Sequence, residues 1–270
     1  MTEDILQSLL QDIKENPSDK SVLGLFDDYV YIEYIKYYSE HIGICIRGSM
    51  DKNEEIKTID YFPIAKSGNL VQVNRLNIFP NTKTSAYFAN CREDISGNDI
   101  LFFLSNSIDY FHQGEQWEQA NMSVRFSGFS DSGTIILPIF YDEESDDDET
   151  DVDSFSYGYT CKEKLVQNIE EASEMIMERL KTEDFLSVVE SYILPQSETD
   201  SVYYLLGIIE DCKQIQNDRT GELVWELNVD TTGSPITIFI NERDLLGVPD
   251  KGMRFMGQTW LQGYVYKREE

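Results

Sequence analysis

The sequence contains few histidines, no paired cysteines and few positive charges, and each shortage narrows what the protein can do. Only two histidines occur in 270 residues, His41 and His112, which excludes a histidine-rich metal site and leaves few ways to build a Ser-His-Asp triad. The four cysteines are scattered and none belongs to a CxxC motif, so neither a zinc knuckle nor a redox dithiol is favoured. We therefore expect no bound metal and no cofactor.

Targeting segments, membrane spans and familiar catalytic motifs are also missing. The opening stretch MTEDILQSLLQDIKEN has early acidic residues and no continuous apolar core, unlike a secretory signal. No apolar run approaches the roughly 20 residues that a membrane helix needs. The sequence contains no GxSxG elbow, Walker loop, GxGxxG or HExxH. These absences predict a cytoplasmic protein with reduced thiols that is not an enzyme and does not bind membranes.

The balance of charge is strongly acidic. Fifty acidic residues face 22 basic ones, which gives a formal net charge of −28. Nucleic-acid binding depends on Lys and Arg displacing the counterions of the phosphate backbone, so we expect no nucleic-acid partner. Such a field attracts cations and basic proteins instead.

An acidic run, FYDEESDDDETDVDSFSYGY, spans Phe140 to Tyr159. It carries nine carboxylates between positions 142 and 153: Asp142, Glu143, Glu144, Asp146, Asp147, Asp148, Glu149, Asp151 and Asp153. An EF-hand loop needs glycine at its sixth position and glutamate at its twelfth. Counting from Asp146 or from Asp147, the run has neither residue at these positions. Two interpretations stay open, a solvated loop that protects a strand edge and an acidic arm that binds a basic protein surface.

Elements of the N-terminal part follow from periodicity and turn signals. A helix is predicted after Thr2 because Ile5, Leu6, Leu9, Leu10 and Ile13 form one stripe, and Asn16-Pro17 ends it. Strands are predicted at 41–47, 56–64, 70–79 and 85–90, while residues 29–38 are ambiguous between strand and helix. DILFFLSNSIDYF, residues 99–111, reads as a helix or a buried strand, and we favour the helix.

The middle of the chain predicts a hairpin followed by helices. Residues 122–129 and 134–141 flank Ser130-Asp131-Ser132-Gly133, which has the composition of a turn. An amphipathic helix is predicted over 161–181 and a second over 183–192. The polar stretch 196–201 follows a proline, and we predict a domain boundary there.

The last seventy residues read as five strands with a short helix. Strands are predicted at 202–217, 222–229, 235–240, 253–258 and 259–266. In ELVWELNV, Leu223, Trp225, Leu227 and Val229 face one way, whereas Glu226 and Asn228 face the other. This order resembles an OB-type barrel. The predicted fold is α+β, with a larger mixed domain over 1–195 and a small OB-like β-barrel over 201–270.

The leading functional hypothesis is a non-enzymatic acidic protein that binds a basic protein partner, as an inhibitor, an immunity-type protein or an assembly adaptor. One rival is a small-molecule or oligosaccharide-binding module, in which Trp225, Trp260 and Tyr264 of the C-terminal barrel stack on the ligand. Another is an unfamiliar carboxylate-based enzyme. A Cys45–His41 nucleophile is not expected, because residues four apart on a strand lie about 13 Å apart.

Overall fold

The computed structural model describes residues 3–26, 29–66, 68–80, 86–93, 97–113, 122–139, 177–178 and 180–267. Within these ranges most residues belong to β-strands and helices are few. The mixed α+β character is therefore confirmed, with β-structure dominant. Of the helices in these ranges, none has the length and apolar character that crossing a bilayer requires.

A four-stranded antiparallel sheet carries the N-terminal helix on one face. Its elements are α1 (Glu3–Glu15), β1 (Asp19–Phe26), β2 (Tyr29–Tyr37), β3 (Ile42–Asp51) and β4 (Ile56–Ala65), and strands that follow one another in the chain pair. Leu9, Leu10 and Ile13 of the predicted stripe are buried against Ile32 and Ile46 of the sheet. The predicted helix is confirmed, and the ambiguous residues 29–38 are mainly strand.

Among the described residues, the second sheet has ten strands. They are β5 (Val71–Pro80), β6 (Tyr87–Glu93), β7 (Asp99–Leu104), β8 (Met122–Ile136), β9 (Tyr192–Pro195), β10 (Val202–Gln216), β11 (Leu223–Thr231), β12 (Ser234–Asn241), β13 (Leu245–Leu246) and β14 (Arg254–Lys267). The short helices α2 (Ser107–Gln113) and α3 (Phe185–Val188) accompany it in the described part of the chain.

The pairings of this sheet form two closed circuits. One runs β10–β11–β12–β8–β14 and returns to β10, with a parallel step between β12 and β8. The other runs β8–β5–β6–β7–β14 and returns to β8. The antiparallel pair β8–β14 is common to both, because these two strands are long enough to take part in each circuit at a different part of their length.

A single apolar cluster fills both circuits. Phe102 of β7 and Phe126 of β8 are fully buried and meet edge to face, with ring centroids 5.4 Å apart. Leu227 and Val229 of β11 enter the same cluster, as the alternation of ELVWELNV predicts. Burying side chains of this size contributes about 1.5–3 kcal/mol each, so this cluster makes a large contribution to the stability of the fold.

The predicted hairpin at residues 122–141 is wrong. Residues 122–136 form one continuous strand, and the supposed turn pairs on both sides, with Ser132 opposite Gln258 and Gly133 opposite both Leu245 and Gly257. Gly133 serves close packing rather than a turn, because a Cβ there would lie 2.4 Å from the Phe255 ring. Tertiary pairing thus overrides the turn composition.

Three other local predictions also need correction. The helix favoured for residues 99–111 is a strand, β7, followed by the short helix α2. The helix predicted over 183–192 shrinks to the single turn of α3, since β9 already begins at Tyr192. The two last predicted strands are the single strand β14. The helix predicted over 161–181 lies almost wholly outside the described residues.

The predicted unit 201–270 supplies four strands of the first circuit, and β8 supplies the fifth. Strand β9, from before the predicted boundary, pairs with β10, and the polar stretch 196–201 connects these two strands. The division into 1–195 and 201–270 stays a prediction.

The two sheets meet along an interface that we call the seam, where apolar and polar contacts alternate. Cys45, Phe62 and Ile64 of the first sheet pack against Phe88 and Phe103 of the second. Beside them run hydrogen bonds between the sheets: Arg47 Nη2 to Leu104 O (3.1 Å), Ser107 Oγ to Glu33 Oε1 (2.6 Å), Gln262 Nε2 to Pro63 O (2.6 Å) and Asp218 N to Tyr38 O (2.7 Å). Directional contacts of this kind fix how the first sheet sits on the second.

Candidate functional site

A polar pocket of about 380 Å³ opens at the seam. We call it the seam pocket. The first sheet and the loop after it contribute His41, Lys66 and Gly68, and the second sheet contributes Arg125, Asp211, Lys213, Glu226 and Asn228. Every side chain in this lining is polar or charged, so the pocket suits a polar ligand rather than an apolar one.

Strands β10 and β11 form one wall of the pocket. Their register places Lys213 opposite Glu226 and Asp211 opposite Asn228. Directly opposed residues of antiparallel strands point to the same face, which here is the face turned away from the apolar cluster. The alternation of β11 therefore places two pocket residues outside and keeps Leu227 inside.

His41 connects the first sheet to this wall. It lies between β2 and β3, and its carbonyl oxygen accepts a hydrogen bond from the Lys66 amide at 2.9 Å. Its ring Nδ1 lies 2.7 Å from Glu226 Oε2. Carboxylate oxygens accept hydrogen bonds from ring nitrogens of this kind. The Lys213 ammonium lies 3.4 Å from the same Glu226 oxygen, so the buried carboxylate is held by two nitrogen groups.

Two cationic side chains at the edge of the pocket lie over the faces of tyrosine rings. The Lys66 ammonium lies 4.1 Å from the centre of the Tyr37 ring, and the Arg125 guanidinium lies 5.1 Å from that of Tyr266. Burial raises the pKa of Tyr37 to about 12. Burial also raises the pKa of Tyr266, which the nearby Arg125 partly opposes. Both phenols are therefore neutral at physiological pH and do not cancel the charges above them.

Asn228 lines the pocket with its amide oxygen already engaged. Its Oδ1 already accepts hydrogen bonds from Thr237 Oγ1 at 3.0 Å and from Asn69 Nδ2 at 3.4 Å. Its Nδ2 group is consequently the part that can serve a ligand. Within the described ranges no carboxylate forms an ion pair with Lys66, so its ammonium is also available to an incoming group.

The chemistry of this lining favours binding through hydrogen bonds. No group of three or more His, Cys, Asp or Glu side chains among the described residues is placed to hold a metal ion. The donors instead belong to lysine, arginine, histidine and asparagine. Such groups can orient and neutralise an acceptor-rich molecule.

The acidic run cannot be placed in this geometry. All nine carboxylates from Asp142 to Asp153 lie outside the described residues. Their role as a partner-binding arm stays a prediction.

The three aromatic residues proposed for stacking do not converge on one surface. Trp225 packs against the apolar cluster inside the circuits. Trp260 lies in the seam, 5.0 Å from the Phe103 ring and 6.5 Å from the Phe129 ring. Tyr264 donates its hydroxyl to Asp109 at 2.9 Å. Each has a packing or hydrogen-bonding contact of its own, and a ligand-stacking role stays a prediction.

His41 and Cys45 have separate surroundings. His41 contacts Glu226, whereas Cys45 is fully buried among the apolar residues of the seam. Burial, reinforced by the Glu33 carboxylate, raises the pKa of the Cys45 thiol well above its usual value. This thiol is therefore a poor nucleophile.

Sequence reasoning missed most of the seam pocket because its members are far apart in the chain, from His41 to Asn228. The only local signal was the polar face of β11, which puts Glu226 and Asn228 on one side. Which residues face that side from other strands depends on the long-range pairing of β8, β10 and β11 and on the docking of the first sheet.

Comparison with known families shows a match over nearly the whole chain. The family model described as "Domain of unknown function, E. rectale Gene description (DUF3881)" covers residues 1–263. No curated protein and no solved structure shows significant similarity to the chain.

Proposed function

We propose that this chain, which belongs to the DUF3881 family, binds a small polar molecule in the seam pocket. The observation that carries the proposal is the buried Glu226 carboxylate, held at 2.7 Å by His41 from the first sheet and at 3.4 Å by Lys213 from the second. The proposal keeps the small-molecule alternative drawn from the sequence. It moves the site from the aromatic residues of the C-terminal strands to the seam.

Charge burial supports this assignment. Removing a carboxylate from water is costly unless hydrogen bonds and opposite charge compensate, and here the compensation comes from both sheets at the wall of an open pocket. A network fixed before the ligand arrives lowers the ordering cost of binding. The proposed activity is binding alone, and no reaction is assigned to the site.

Filling the pocket tests its role. A Cβ added at Gly68 meets no atom within 4 Å, so Gly68→Phe puts a ring into the lining without a backbone clash. Gly24→Phe is the matched control, because a Cβ at Gly24 also meets nothing within 4 Å and Gly24 does not line the pocket. Both variants and the wild type are screened by thermal shift and calorimetry against a panel of polar metabolites.

We expect at least one compound to stabilise the wild type and Gly24→Phe but not Gly68→Phe. A ligand at 100 times its Kd adds roughly 2.7 kcal/mol to the free energy of unfolding, which thermal shift resolves easily. A ligand that binds Gly68→Phe as tightly as the wild type would place the site elsewhere.

Net charge favours a second candidate function, binding of a basic protein. The chain carries −28, which speeds encounter with cationic surfaces at low salt, and the nine carboxylates of 142–153 would be the contact arm. The test compares the wild type with a deletion of residues 142–153 in binding to cytochrome c at 20 and 150 mM salt. Binding no stronger than that of an equally acidic inert protein would reject this candidate.

We also propose an OB-like barrel for part of the second sheet and a cytoplasmic location for the protein. The meander β10–β11–β12, its parallel step to β8 and the return through β14 support an OB-like barrel in the first circuit. The scattered cysteines support a cytoplasmic location.

A further inference from the structure

We infer that the molecule bound in the seam pocket is a small zwitterion, which carries both an ammonium group and a carboxylate. This inference rests on the proposed function and names the chemical class of its ligand. The Asp211 carboxylate receives the ammonium group of the ligand, and the Lys66 ammonium receives its carboxylate.

Most charged groups of the pocket are already engaged with one another. Glu226 lies 2.7 Å from His41 and 3.4 Å from Lys213. Glu40, beside the pocket, lies 3.6 Å and 3.7 Å from the same two side chains. Arg125 is engaged by other groups. These side chains form the frame of the pocket, and none of them is assigned to the ligand.

Two opposite charges of the lining stay outside this frame, Lys66 and Asp211. Within the described part of the chain, neither side chain forms a salt bridge or a hydrogen bond. The Lys66 ammonium lies 4.1 Å from the centre of the Tyr37 ring, and a ring face supports a cation without neutralising its charge. The pocket therefore offers a ligand one cationic group, at the end of the first sheet, and one anionic group, on the second.

A β-bulge brings Asp211 to the pocket. The register of β10 and β11 shifts between Ile209 and Asp211, so that Asp211 lies opposite Asn228 rather than opposite Leu227. Since Leu227 belongs to the apolar cluster, regular pairing would turn the Asp211 carboxylate into that cluster. Bulges re-aim side chains in this way next to functional sites, and this one adds a carboxylate to the pocket lining.

The two separate charges favour a ligand that carries both signs. A ligand with a single charge can pair with only one of the two groups. A zwitterion pairs with both, and once the first contact has formed the second is intramolecular, which raises the affinity. Charge-assisted hydrogen bonds strengthen each end. The field of the chain, whose net charge is −28, repels small anions and spreads small cations over many acidic groups, whereas a molecule without net charge meets neither effect.

Calorimetry at constant ionic strength tests the inference with glycine, γ-aminobutyrate and ε-aminocaproate, which differ in the separation of their charges. Each is set against a monocarboxylate and a monoamine with the same number of carbon atoms: acetate and ethylamine, butyrate and butylamine, hexanoate and hexylamine. We expect at least one amino acid to bind about 10-fold more tightly than both of its analogues, and Gly68→Phe to abolish that binding. Amino acids that bind no more tightly than their analogues would overturn the inference.

Removing each charge in turn shows which end of the ligand it holds. In Asp211→Asn the amino acid should bind no more tightly than the monocarboxylate, and in Lys66→Gln no more tightly than the monoamine. The matched controls are Asp200→Asn and Lys251→Gln, because both residues are exposed and neither lines the pocket. The controls alter the net charge equally and should leave binding within about 2-fold. Melting temperatures confirm that each variant is folded.

The outcomes separate the inference from the proposed function. If a compound of the metabolite panel binds, Gly68→Phe abolishes that binding and the amino acids do not bind, the pocket is a binding site but the zwitterion is wrong. Equal loss of amino-acid binding in the charge variants and their controls would also overturn the inference, because the general field would then be responsible. If nothing binds in the pocket, in this set or in the metabolite panel, the proposed function itself fails.

Discussion

Breaking the buried Arg47–Glu33 pair should destabilise the protein far more than breaking an exposed pair. Arg47 Nε donates to Glu33 Oε1 at 2.6 Å, with the two side chains 0% and 5% exposed. Arg47 also donates to Leu104 O across the seam and lies 4.5 Å and 5.2 Å from the Phe62 and Phe103 ring centres. Removing the arginine therefore leaves a buried carboxylate with Ser107 as its hydrogen-bonding neighbour.

The expected loss for Arg47→Met is about 3–5 kcal/mol of unfolding free energy, the usual cost of leaving a buried charge unpaired. Lost cation–π contacts are worth about 0.5–2 kcal/mol within that range. Urea denaturation followed by tryptophan fluorescence measures it, because Trp225 and Trp260 are partly buried reporters. Arg243→Met is the control: Arg243 pairs with Glu222 at 2.7 Å, but the side chains are 68% and 45% exposed, so the change should cost about 0–1 kcal/mol.

The double variant Arg47→Met with Glu33→Gln tests the cause. The amide oxygen of the new glutamine can still accept from Ser107 while its charge is gone, so we expect it to recover about 2 kcal/mol of the loss or more. Two results would refute the reasoning: a cost for Arg47→Met no larger than that of Arg243→Met, or a double variant as unstable as the single one. Either would mean that the buried charge is compensated by something other than this pair.

Three further predictions follow from the described contacts. Burial raises the pKa of Asp230; the nearby carboxylates of Glu210, Glu190 and Glu93 add to this rise, and the Gly233 amide opposes it. The folded state therefore binds the proton of Asp230 more tightly than the unfolded state does. The stability that this group contributes is present below about pH 4 and is lost as the pH rises through the raised pKa. Asp230→Asn, which keeps an acceptor for Gly233, should stabilise the protein at pH 7 but not at pH 3.5 in urea denaturation. Gly207→Ala should cost about 1–3 kcal/mol in the same assay, because a Cβ there would lie 2.4 Å from Asp230 O, and an unchanged midpoint would contradict this close approach. A fragment of residues 196–270 lacks β8 and should show no cooperative melting by circular dichroism, whereas a sharp transition would show that four strands suffice.

Local sequence patterns predicted the elements that bury one apolar face and expose the other. The stripe of α1 and the alternation of β11 were readable because each element buries one face. The turn composition of Ser130 to Gly133 was misleading, since β13 and β14 pair through it. Residues 99–104 have no hydrophobic periodicity that separates strand from helix, because a short apolar run fits a buried strand and a helix equally well.

The candidate site was less predictable than the fold, for a physical reason. His41 and Glu226 stand 185 positions apart and meet only because the first sheet docks on the second. Lys66 and Arg125 carry no local pattern of their own, and their common surface depends on the register of β8 and the end of β4. The pocket is a property of the assembled chain rather than of any one segment.

The pair β8–β14 is shared by both circuits, and this sharing couples the stability of the two halves of the second sheet. Peeling these two strands apart opens both circuits at once, so the halves of the second sheet should melt together rather than in turn.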